Sequence, residues 1–177
     1  MRRFLIVVMF LSTFLLLGCA PIAEGDVTIV LRAGVDTVEI NDVFVDAGAK
    51  ATAGWLPLSV EVVENTVDVA AVGFYRIVYR CTYKDIVKEV VRYVAVVDEI
   101  PPVVVLNAGV DTILKGDVWT DAGVTATDDG GTVSVTVRGV VTSDIPGEYI
   151  ITYVATDGAG NETVAVRYVN VLRSDNG

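Results

Sequence analysis

Carboxylates and two tryptophans are the side chains of this sequence with the most chemistry available to them, because it contains no histidine. Without imidazole there is no Ser–His or Cys–His nucleophile activation and no His-containing zinc or iron site. Cys81 lies in an alternating apolar run, where it reads as a small buried side chain rather than a reactive thiol, and one thiolate makes no metal site. Acid chemistry is what remains. A glycosidase needs two carboxylates about 5–9.5 Å apart across a cleft. No acid pair here sits in a recognisable cleft pattern, so a carboxylate hydrolase is the remote alternative. Hard cations are the other use of acids: Asp98, Glu99, Asp128, Asp129 and Asp157 are the candidate calcium ligands, calcium taking six to eight oxygens at about 2.3–2.6 Å. Against that reading stands the ordinary role of aspartate in tight turns, and no calcium loop of fixed spacing is present. No other cofactor is expected. Asp46 and Asp121, each in an Asp-Ala-Gly block, read as turn-formers rather than ligands. Trp55, in Ala53-Gly54-Trp55-Leu56-Pro57, is the candidate ligand contact, a ring able to stack on a sugar, with packing against Pro57 as the other reading. Trp119 aligns with Phe44 and reads as core.

What must position these residues is a unit built twice. Val30–Thr52 realigns on Val105–Thr127 at an offset of 75, with 14 of 23 pairs identical, including Ala-Gly-Val-Asp-Thr and Asp-Ala-Gly. Val91-Arg92-Tyr93-Val94 answers Val166-Arg167-Tyr168-Val169. A fixed period of this kind is one structural unit repeated, and each copy is long enough to enclose its own core. Apolar residues alternate at period two along Phe74–Cys81, Val133–Val137, Glu148–Ala155 and Thr163–Val171, and turn clusters interrupt them. The expected architecture is all-β: two tandem immunoglobulin-like sandwiches of about seven strands each, over 27–97 and 102–172. Residues 98–101 form the linker, which Pro101 and Pro102 keep extended, and 173–177 a tail.

The chain opens with Arg2 and Arg3 and an apolar run over Phe4–Leu17, shorter than the ~20 residues that span a bilayer, so 1–18 reads as an export signal. Leu16-Leu17-Gly18-Cys19 resembles a bacterial lipobox. That resemblance implies a lipid-modified Cys19, membrane attachment through the lipid and a tether over 19–26, which at ~3.5 Å per residue keeps the first unit within about 25 Å of the bilayer. Ala20 after the cysteine resembles outer-membrane sorting in a two-membrane bacterium. With Cys19 so occupied, Cys81 has no disulfide partner. Setting aside Arg2 and Arg3 from the 13 basic residues leaves 11 against 23 acids, a net charge of −12. Such a surface repels nucleic-acid phosphates.

Asp121-Ala122-Gly123-Val124-Thr125-Ala126-Thr127-Asp128, then Ile145-Pro146-Gly147-Glu148-Tyr149 running on to Asp157-Gly158-Ala159-Gly160-Asn161, resembles the bacterial immunoglobulin-like repeat of surface proteins and some pesticidal crystal proteins, and is similar to hyalin-type repeats. The likeness covers nearly all of 102–172. The first unit matches through Asp46-Ala47-Gly48 and Gly73-Phe74-Tyr75 but lacks the Asp157–Asn161 hairpin. The resemblance implies exported proteins with adhesive, glycan-associated or spacer roles, and it supplies no catalytic residues. Tyr75 and Tyr149 fit a tyrosine corner, ring in the core and hydroxyl reaching back to the backbone. The expectation is therefore a non-enzymatic, lipid-anchored envelope protein, facing periplasm or exterior, that binds surface glycans or another envelope protein. A passive spacer or assembly subunit is the alternative.

Overall fold

The computed structural model describes residues 23–174. The export segment, the lipobox and Cys19, and the last three residues lie outside them. After a single 3-10 turn (Glu24–Asp26) every regular element among the described residues is a strand.

The strands fall into two sets that share no pairing. In the first unit, β1 (Val27–Leu31), β3 (Ala49–Ala53) and β4 (Leu56–Leu58) form one antiparallel sheet in the order β1-β3-β4. Facing it are β2 (Thr37–Glu39), β5 (Glu61–Asn65), β6 (Gly73–Tyr83) and β7 (Ile86–Val97), in the order β2-β7-β6-β5. The short edge strand β2 runs parallel to β7, whereas the other pairs of this sheet are antiparallel. In the second unit β8 (Val103–Leu106) pairs with β10 (Val124–Thr127). The facing sheet has the order β11-β12-β13-β9, from β9 (Thr112–Leu114), β11 (Ser134–Arg138), β12 (Gly147–Thr156) and β13 (Glu162–Leu172), with β9 again parallel to β13. The second unit has no counterpart of β4: where the first unit makes the β3–β4 hairpin, the second makes the turn beyond Asp128.

Period-two alternation explains the long strands. Ile77, Tyr79 and Cys81 of β6 point inward and are buried, as are Ile151, Tyr153 and Ala155 of β12. Ile77 and Tyr79 pack with Ala49 of β3 and Val94 of β7, and Ile29 and Leu31 of β1 close over them, so the core lies between the two sheets. Cys81 lies among Val27, Ala51 and Ala53. In the second unit Ile151, Tyr153 and Val169 form the core, with Trp119, Val124 and Tyr149 packed against it. Trp119 is half-buried and its indole N–H donates to the Val110 carbonyl at 3.0 Å. The alternation in Val133–Val137 does not yield a half-buried strand: Val135 and Val137 both remain exposed in β11. Val62 of β5, at the matching edge of the first unit, is exposed as well, so this outer strand is uncovered in both units.

Tyr75 donates its hydroxyl to the Ala71 carbonyl at 2.7 Å and Tyr149 to the Ile145 carbonyl at 2.8 Å, each four residues upstream. Each bond ties the loop entering β6 or β12 to the strand that follows. Tyr149→Phe removes one hydrogen bond and nothing else, so urea unfolding is expected to show a loss of about 0.5–1.5 kcal/mol. Ile151→Ala opens a core void and is expected to lose about 2–5 kcal/mol in the same measurement.

Candidate functional site

The residues common to both units gather around a buried arginine. Arg92 of β7 and Arg167 of β13 are each 2% exposed. A charge withdrawn from water this far requires partners at every donor. Arg167 Nη1 donates to both oxygens of Asp111 at 2.7 and 3.0 Å, and Nη2 donates to the carbonyls of Asn107 at 2.7 Å and Gly123 at 3.1 Å. Arg92 repeats the pattern with Asp36 and with the carbonyls of Arg32 and Gly48, but whereas Arg167 Nε donates to the Tyr153 hydroxyl at 3.3 Å, Arg92 Nε is left without a hydrogen-bond partner. Beneath each guanidinium a buried tyrosine, Tyr79 or Tyr153, donates its hydroxyl to Asp46 or Asp121. The same aspartates accept the amides of Gly48 and Gly123 at 2.8 Å, closing the turns read from the sequence. They stand 3.5 and 3.7 Å from the arginine Nε atoms. Gly34 and Gly109 have no room for a side chain, because an added Cβ would meet Ala47 or Ala122 at 2.7 or 2.8 Å. Gly48 and Gly123 hold left-handed backbone at φ 73° and 69°. These contacts account for the repeated Ala-Gly-Val-Asp-Thr, Asp-Ala-Gly and Val-Arg-Tyr-Val blocks, and they are structural.

The candidate calcium residues separate. Asp98, Asp128 and Asp157 come together, with one carboxylate oxygen of each within 4.8 Å of the others. Glu99 is outside this group and donates its backbone amide to Glu39 at 2.7 Å. Asp129 is outside it too, and its carbonyl accepts Asn41 Nδ2 at 2.8 Å. Asp98 follows the last residue of β7, and its carbonyl accepts Asn161 Nδ2 at 3.0 Å. Asp157 Oδ1 accepts the amides of Ala159, Gly160 and Asn161 at 2.7–2.9 Å. Burial alone would raise the Asp157 carboxyl, but the Asn161 side chain and these three amides hold it below the usual carboxylate range. Asp98 has no such set, and burial followed by the charges of Asp128 and Asp157 pushes its carboxyl up.

Trp55 sits at the tip of the β3–β4 hairpin and is 90% exposed, clear of Pro57. The preceding residue, Gly54, donates its amide to the Asp26 carbonyl at 2.9 Å, which puts this tip at the end of the unit where the described chain begins. The structure adds a second aromatic surface that the sequence analysis did not single out. Phe74 and Tyr93 are 89% and 68% exposed and lie diagonally on the outer face of β6 and β7. Arg76, opposite Tyr93, pairs with Glu64 at 2.9 Å beside them. The signal was present: in Gly73-Phe74-Tyr75, inward-facing Tyr75 forces Phe74 outward. Shallow clefts repeat in both units beside β2 and β9, about 400 Å³ lined by Val35, Val43 and Phe44, and about 500 Å³ lined by Val110, Val118 and Trp119.

Residues 108–171 match the family model described as bacterial surface protein, Ig-like domain. The second unit is thus similar to the Ig-like domains of bacterial surface proteins. The matched stretch contains Arg167, Asp128 and Asp157. Among solved structures, a lipoprotein from Bacteroides thetaiotaomicron is 19% identical, covers 82% of this chain and 80% of its own, and superposes with a TM-score of 0.36. An endo-fucoidan hydrolase of glycoside hydrolase family 107 is 10% identical with a TM-score of 0.27, over 86% of this chain and 30% of the enzyme. No curated protein matches the sequence.

Arg167→Met keeps the apolar stem but leaves Asp111 and two carbonyls without their partner and Asp121 without a counter-charge, and urea unfolding is expected to show a loss of about 3 kcal/mol. A second test uses pH. Burial, then the hydrogen bonds to Asp46 and Asp121, raise the Tyr79 and Tyr153 phenols above 10.0. Their protonated forms therefore contribute stability that is whole below the unfolded value of about 10 and is lost as pH rises through the higher folded value. Alkaline titration followed by phenolate absorbance should show a late-ionising group of tyrosines that shrinks in Tyr79→Phe and again in Tyr153→Phe.

Proposed function

We propose that this chain is a non-enzymatic, lipid-anchored envelope protein whose first unit binds glycans at the cell surface. Attachment rests on the lipobox resemblance at Cys19. The observation that carries the binding reading is the pair Phe74 and Tyr93, two large rings exposed on adjacent strands with the Arg76–Glu64 pair beside them. A sugar ring offers an apolar C–H face to an aromatic ring and hydroxyls to a charged pair, so this surface supplies both halves of the contact. In the second unit Tyr168 keeps the exposed ring of Tyr93, but Glu148 and Ile150 stand in place of Phe74 and Arg76, so the second ring and the charge pair are missing. Trp55 offers a further ring at the tethered end.

A spacer role is the second reading, favoured by the junction itself. Pro101 and Pro102 stiffen the linker, and Asn41 reaches across to Asp129. In that reading the pair of units holds another envelope protein away from the membrane.

The deciding experiment incubates the full chain, solubilised in detergent, with insoluble polysaccharides and purified cell-wall material. Saturable retention lost in Phe74→Ala or in Trp55→Ala supports glycan binding and says which surface reads the ligand. No retention, or retention indifferent to both substitutions, overturns glycan recognition by these rings and leaves the spacer role.

A further inference from the structure

We propose that Asp98, Asp128 and Asp157 bind a calcium ion at the junction of the two units. The site combines the linker (Asp98), the residue after β10 (Asp128) and the residue after β12 (Asp157), so one ion would tie the chain leaving the first unit to two loops of the second. Their oxygens lie within 4.8 Å of one another. That is inside the roughly 4.6–5.2 Å separating ligands on opposite sides of a calcium ion, twice the calcium–oxygen distance.

An acidic cluster alone would amount to little, since aspartates gather in turns for backbone reasons. Here one member is poorly satisfied, with only an Ile100 backbone contact to oppose its burial. Asp98 is 9% exposed, and its Oδ1 is buried without any hydrogen-bond partner. Its other oxygen is directed at the Asp128–Gly130 turn: an added Cβ on Gly130 would collide with Asp98 Oδ2 and come within 3.0 Å of Asp128 Oδ2. A buried carboxylate left unpaired costs several kcal/mol. Among the described residues none of the three acids forms an ion pair with a lysine or arginine. The repulsion of Asp128 and Asp157 adds to the desolvation that raises the Asp98 carboxyl. Two things relieve such a cluster, a proton on Asp98 or a cation among the three.

The all-oxygen, carboxylate donor set selects a hard cation, and flexible calcium coordination tolerates three protein ligands completed by water. Asp157 is already fixed by three backbone amides and the Asn161 side chain, so the site is preorganised on that side. The first unit has nothing equivalent, with Ala53 where Asp128 stands and Tyr83 where Asp157 stands. The acids thus appear only where the linker can complete them. This proposal is independent of lipid attachment and of glycan binding.

Calcium alone, titrated calorimetrically into the full chain in detergent after chelator treatment, tests it together with thermal unfolding. One ion per chain is expected, with a dissociation constant on the order of 10⁻⁴–10⁻³ M as in extracellular modules, and a melting temperature that climbs with calcium. Asp98→Asn keeps the shape and removes the buried charge. It should weaken binding about tenfold or more, yet melt no lower than the parent without calcium, a result that a merely structural Asp98 would not give. Asp128→Asn should lose binding likewise while leaving the circular dichroism spectrum unchanged. Absence of both heat and melting shift at roughly 10 mM calcium, well above that range, overturns the proposal and assigns the cluster a proton on Asp98. Binding unaltered in both variants overturns it equally.

Discussion

A guanidinium buried inside each sandwich is the constraint from which most of this structure follows. Arg92 and Arg167 carry charge into a region where an unpaired charge is prohibitive, so their surroundings are dictated atom by atom. Asp36 or Asp111 supplies the counter-charge, two carbonyls take the far nitrogens, and a tyrosine–aspartate pair lies under the Nε edge. Beside the arginine, the close approach of Ala47 and Ala122 forbids a side chain at Gly34 and Gly109. The left-handed turn at Gly48 and Gly123 brings a carbonyl and an aspartate onto the same group. Each unit is thereby stitched from its first loop to its last strand, across a separation of 56 residues, without a disulfide. Where the two units differ in sequence they are free of this constraint.

That freedom divides the remaining chemistry between the units. The first has Trp55 on a hairpin the second unit lacks, and Phe74 beside Tyr93 where the second keeps only Tyr168. The second has the acids, Asp128 and Asp157, which meet Asp98 as the linker enters. The two units thus share one scaffold and differ in the surfaces built on it.

Much of the fold was legible because its period is local. Alternation in Phe74–Cys81 and Glu148–Ala155 named the inward residues correctly, and Pro101-Pro102 marked the boundary between strand sets. The tyrosine hydroxyl bonds were readable for the same reason, since they span four residues. What escaped was non-local. The repeat showed that Arg92, Asp36 and Asp46 matter, but not that they touch, because the contacts join opposite ends of the unit. Val135 and Val137 alternate as a half-buried strand should, yet this edge strand is exposed, as Val62 of β5 is in the first unit. The five candidate acids looked alike in sequence. Burial distinguishes Asp98 from Glu99, and loop geometry distinguishes Asp128 from Asp129.

The central claim is that a fixed, hydrogen-bonded guanidinium organises each unit, and nitrogen-15 NMR of the arginine side chains addresses it most directly. For Arg92 and Arg167 the account predicts restricted rotation, separately resolved Nη protons and slow exchange with solvent, in contrast to exposed Arg76 and Arg138. Averaged, rapidly exchanging guanidinium signals for all arginines would contradict it, and would return the repeated Asp-Ala-Gly and Val-Arg-Tyr-Val blocks to being unexplained.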